Sequence, residues 1–98
     1  MTIFCGLIYG RHILPDIITD YVYPTDIPTV HICDAAYMER ICTEFFDRHP
    51  GADTICVYVS GFTPALLALI KGCVERGIHL TAYHFDRSTR NYWKQEVI

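Results

Sequence analysis

Ser60-Gly61-Phe62-Thr63-Pro64 joins an apolar run, residues 55–59, to a helical pattern that Gly77 brings to a stop. These residue types suit the holding of an anion. Thr63 reads as a helix N-cap, and Pro64 fits the first helical position, where its missing N–H costs nothing. Gly61 permits positive φ or a close backbone approach. A strand that opens through a short loop onto a helix start offers unpaired N–H groups and the positive end of the helix dipole, and both favour a phosphate. Ser60, Gly61, Phe62 and Thr63 are therefore candidate ligand-binding residues. The motif is short. It has neither the Gly-Lys-Ser/Thr ending of a Walker loop nor the G-x-G-x-x-G of a dinucleotide site. In the plainer reading Thr63 is only a cap and Gly61 only a turn residue.

Other candidates stand where further strands would end. Arg11 and His12 follow the first apolar run. An arginine there could contact a phosphate, and a histidine could carry a proton near neutral pH, so these two are the candidate catalytic pair. The plainer alternative is a pair of surface loop residues. Asp34 precedes a helical pattern and reads as its cap or as a ligand contact. Asp86 suits a turn, and Arg87 beside it could reach a ligand or be solvated. His31 and Cys33 share one face of an expected strand, but no C-x-x-C or H-E-x-x-H spacing is present and no metal or cofactor is called for.

The elements that must position these groups follow from periodicity. Residues 2–9 read as a buried strand. Residues 13–28 carry three prolines and form an irregular excursion with room for a short edge strand at 17–23. Residues 29–33, TVHIC, read as the second strand. A helix is expected over 35–48, with Met38, Ile41, Cys42 and Phe45 on one side. A strand over 54–59 and a helix over 64–76 come next. That helix has Leu66, Leu67, Leu69, Ile70, Cys73 and Val74, enough apolar cover to bury it on more than one side. Residues 78–85 form another strand, 86–91 a turn and 92–97 an antiparallel return. The order is β, irregular, βαβαβ, then a hairpin: a single α/β domain with a Rossmann-like, mostly parallel sheet. Right-handed crossovers that advance one way put both helices on one face. A parallel sheet is normally covered on both faces. A homodimer, with the second subunit as the missing cover, is the expectation.

Composition sets further bounds. The 98 residues are 51% hydrophobic and 19% charged, with a net charge of −3. An apolar excess in so small a domain argues that part of its surface is covered by a partner. The charge gives no support to binding long nucleic acid, though one short nucleotide in a local pocket is compatible with it. Five cysteines, at 5, 33, 42, 56 and 73, lie mostly in apolar segments and form no C-x-x-C pair. Reduced, buried thiols in a cytoplasmic protein are expected. No signal-peptide pattern and no membrane-length apolar run is present.

Residues 54–87, with Ser60-Gly61-Phe62-Thr63 followed by Pro64-Ala65-Leu66, resemble the CRISPR-associated Rossmann-fold domains that sense cyclic oligoadenylates, and the related ring nucleases. The loops of that family often carry paired glycines and a lysine, and this loop has neither. The resemblance implies a dimer with a small cyclic or linear nucleotide in a pocket across its two-fold axis. On that footing the expected function is binding of a nucleotide-like, phosphate-bearing ligand at the carboxyl edge of the sheet. Phosphodiester cleavage assisted by His12 and Arg11 would be its enzymatic form. The alternative is a non-catalytic module whose apolar sheet face docks onto a partner protein. A phage or mobile-element accessory system suits either.

Overall fold

The computed structural model describes residues 1–11 and 13–98. Strand β1 (Thr2–Ile8) leads to β2 (Asp20–Tyr23), and a single 3₁₀ turn (Thr29–His31) precedes helix α1 (Ala35–Arg48). Then follow β3 (Thr54–Tyr58), α2 (Thr63–Arg76), β4 (His79–Asp86) and β5 (Asn91–Glu96). The five strands form one sheet in the order β2-β1-β3-β4-β5. All neighbours are parallel except β5, which returns antiparallel to β4. The expected Rossmann-like α/β architecture is the observed one.

The helices form where side-chain spacing and local caps agree. Asp34 accepts the Tyr37 N–H at 3.0 Å and caps α1, which buries Met38, Cys42, Phe45 and Phe46. Gly77 takes the left-handed conformation (φ 66°) that ends α2, and its N–H bonds to Cys73 and Val74 carbonyls. These helix residues join Cys5, Leu7, Ile55, Val57, Leu80 and Ala82 in one core. Tyr23 ties the edge strand into it. Its hydroxyl donates to the Ala65 carbonyl at 2.9 Å and lies 3.3 Å from the Cys42 sulfur.

Topology explains why only one face is covered. The links β2-α1-β3 and β3-α2-β4 both advance in the same direction across the sheet, so right-handed crossovers place both helices on one side. The β1-to-β2 link runs the opposite way and is the one that would cover the other face. Among its described residues it has no helix. It contributes Leu14, which together with Tyr21 lies over Gly6: a Cβ built on Gly6 would come within 2.6 Å of either side chain. The shortest dimension of the molecule is 21 Å, a sheet plus one helical layer.

Five expectations need correction. Residues 29–33 are not a strand. The second strand is β2, inside the segment read as irregular with an edge strand. Between Pro28 and the Asp34 cap the chain makes local bonds instead, from His31 N–H to Pro28 O (2.8 Å) and from Asp34 N–H to His31 O (3.1 Å). The His31 ring also stacks on Tyr37 and bonds to the Asp34 carboxylate. Val30, Ile32 and Cys33 are consequently exposed, so Cys33 is not a buried thiol. Thr63 is not the cap of α2. The N-cap is Phe62, Thr63 is the first helical residue, and no side chain caps this end. Helix α2 is buried on one side only, since Leu67 and Val74 face outward at 57% and 61% exposure. Gly61 has neither positive φ nor a crowded Cβ position, so its glycine is not required by the backbone.

Candidate functional site

At the carboxyl edge of the sheet the structure brings several expected residues together. Ser60 is buried, and its Oγ accepts the Ile8 N–H at 3.3 Å, tying the ends of β1 and β3. Its hydroxyl therefore braces the loop from within. Arg11, far away in sequence, reaches this loop and donates to the Gly61 carbonyl at 3.1 Å. Its Nε and Nη2 donate to Asp26 at 3.2 and 2.8 Å. The Arg11 guanidinium holds the Asp26 carboxyl below the usual carboxylate range. The arginine is thus placed beside the start of α2 but carries its own counter-ion. The N–H groups of Gly61, Phe62 and Thr63 meet no acceptor among the described residues. With Phe62 as cap, no side chain among the described residues satisfies that helix end, and only the Ala65 and Leu66 N–H groups find an acceptor there, the Phe62 carbonyl. His12 lies outside the described residues.

Asp34 and Arg87 do not join this corner in any described contact. The Tyr37 N–H and then the His31 ring hold the Asp34 carboxyl below the usual range, as suits a capping residue. Arg87 is exposed in the β4–β5 turn, which Asp86 shapes by accepting from the Ser88 N–H and hydroxyl at 2.9 and 2.7 Å.

A separate concavity lies on the outer side of the two helices. It is a groove of about 430 Å³ whose walls include Ile32, Asp34, Met38, Pro64, Leu67 and Ala68. An ion pair, Lys71 Nζ to Glu39 at 2.8 Å, closes one end. This lining is mainly apolar and does not suit a phosphate.

A different surface stands out on the side of the sheet away from the helices. Strand register puts Gly6, Tyr58, Tyr83 and Lys94 in one row across β1, β3, β4 and β5. Phe4, Cys56, Thr81 and Glu96 form the next row, and Phe85 pairs with Tyr92 beyond it. Tyr58 and Tyr83 stack at 4.7 Å, Tyr92 meets Tyr58 edge-on at 4.9 Å, and Phe85 meets Tyr92 at 5.3 Å. The rings are half-buried by one another and Phe85 is 48% exposed. Burial pushes the Tyr58 and Tyr92 hydroxyls up from their ordinary pKa. These contacts make one connected aromatic surface on this side of the sheet. Periodicity along the chain implies a sheet face that the helices leave uncovered but does not single out these residues. Their signal was period-2 placement: Tyr83 and Phe85 two apart, then Tyr92, Lys94 and Glu96 alternating along the return strand.

No family model matches the chain, and neither a curated protein nor a solved structure matches it. Among the described residues, no helix is long and apolar enough to cross a membrane.

Proposed function

We propose that this protein is a small α/β interaction module that acts by docking the free face of its sheet onto another protein. The supporting observation is the connected ring cluster of Tyr58, Tyr83, Phe85 and Tyr92 on a face that neither helix covers. Aromatic rings supply much contact area for little lost side-chain entropy, and parallel sheets are normally covered on both faces. The test combines Tyr83→Glu with Phe85→Glu and confirms folding by circular dichroism. Two results support the reading: an assembled protein that the double variant dissociates, or a monomer that binds an apolar dye which the variant does not. A folded monomer that takes up no dye overturns it.

A second reading rests on the placement of Arg11 beside the uncapped start of α2. A phosphate-bearing, nucleotide-like ligand would accept the N–H groups of residues 61–63 and draw Arg11 away from Asp26. That competition with an existing carboxylate ranks it second. Phosphodiester cleavage with His12 and Arg11 is its catalytic form. Isothermal titration with cyclic oligoadenylates and mononucleotides tests it. Binding that Arg11→Ala weakens, with a flatter salt dependence, supports the reading. No heat across that panel from the folded protein removes it.

A further inference from the structure

We infer that the occupant of the free sheet face is a second copy of this chain, packed face to face about a two-fold axis that crosses the strands. The inference rests on the reading of that face as a docking surface and names its partner.

A two-fold axis lying in the interface and crossing the strands sets each strand antiparallel to its own copy. If the axis passes midway between the two central rows, each row faces the other row of the second copy. Tyr58 then faces Cys56, Tyr83 faces Thr81, and Lys94 faces Glu96. In these two rows each tyrosine meets a small side chain, the condition for interdigitated packing. Each lysine meets a carboxylate, and the symmetry repeats that pair on the other side of the axis. Farther out, Phe85 faces His79, which begins β4 on the same side of the sheet. Neither Lys94 nor Glu96 has an ion-pair partner among the described residues, and both are exposed at the edge strand, where rim charges sit in protein interfaces. The same face shifted by one row would oppose Tyr with Tyr and Lys with Lys, so the pattern selects one register.

The area is sufficient. Four rows two residues apart span about 20 Å along the strands, and four strands span about 15 Å across them. Adding side-chain width gives a footprint of about 500 Å² per copy. Accessible area exceeds projected area because the rings stand out from the sheet. Two copies together therefore pass the roughly 1,000 Å² that a specific interface needs. Leu14 and Tyr21 lie over Gly6, so at the β1 side their side chains rather than the strand itself supply the contact, and β3, β4 and β5 form its centre.

Sedimentation equilibrium of the full chain tests this, with Lys94→Glu, Glu96→Lys and the double charge exchange. The expected result is a wild-type dimer at micromolar concentration. Either single exchange weakens it about tenfold or more, by setting like charges together, and the double exchange restores it. Circular dichroism confirms that each variant is folded. A wild-type monomer at 100-fold higher concentration overturns the second copy as occupant. If that monomer still binds an apolar dye that Tyr83→Glu abolishes, the docking face itself stands. A dimer that Tyr83→Glu dissociates but neither charge exchange affects overturns the facing of the rows. A dimer indifferent to all of these substitutions overturns both this inference and the reading beneath it.

Discussion

Gly6→Ala tests how the open face is limited at β1. The added Cβ would lie 2.5 Å from Tyr21 Cε1 and 2.6 Å from both Tyr21 Cδ1 and Leu14 Cδ1. Ordinary carbon contacts need about 3.5–4.0 Å, so the ring must move by more than about 1 Å. Tyr21 belongs to β2, and its ring meets Tyr9 edge-on at 5.2 Å, so it cannot swing freely. Overpacking of this kind costs about 1–3 kcal/mol. Replacing a strand glycine returns about 0.5–1 kcal/mol through lower backbone entropy in the unfolded chain. The net loss is about 1–2 kcal/mol, or a Tm lowered by about 5–15 °C in a domain of this size. Gly61→Ala is the control, because its Cβ would meet nothing within 4 Å. Urea denaturation monitored by circular dichroism measures both. An unchanged or raised midpoint for Gly6→Ala would refute the packing argument, the more firmly if Gly61→Ala stays at wild-type stability.

Two more predictions concern the fold that supports the sheet. Tyr23→Phe should lower stability by about 1 kcal/mol, the worth of a hydrogen bond whose acceptor, Ala65 O, lies in a helix and retains its helical partner; an unchanged urea midpoint counts against that bond. Burial alone would raise the Asp20 pKa, but hydrogen bonds from His49 (2.7 Å), Arg48 (3.1 Å) and the Tyr21 N–H outweigh it and hold the carboxyl below its usual range. The unfolded chain then binds the proton more readily than the folded one. The stabilisation, about 1 kcal/mol for a partly exposed pair, is complete above the unfolded pKa of about 4 and is lost as pH falls through the folded value. Asp20→Asn should flatten that acid limb of the stability curve, and an identical limb in the variant would rule Asp20 out as its source.

Much of this protein was legible in the chain alone. Helix α1 begins after Asp34 and ends at Arg48 because a capping carboxylate, helical spacing and Pro50-Gly51 all act within one or two turns. The same holds for the Gly77 stop and for strands whose apolar runs are bounded by turn residues. Tertiary structure decided what local signals left open. Residues 29–33 have strand-forming side chains, yet β2 already occupies the edge of β1, and short-range bonds around Pro28 and Asp34 take the segment instead. The grouping of Arg11 with Gly61, and the counter-ion Asp26 that changes its meaning, depends on loops brought together from three parts of the chain. The aromatic face is likewise a product of register. Tyr58, Tyr83 and Lys94 become neighbours only because parallel and antiparallel pairing align three strands, and no spacing along the sequence encodes that alignment by itself. Local chemistry fixed the elements, and the order in which the strands pair fixed which of their faces is left uncovered.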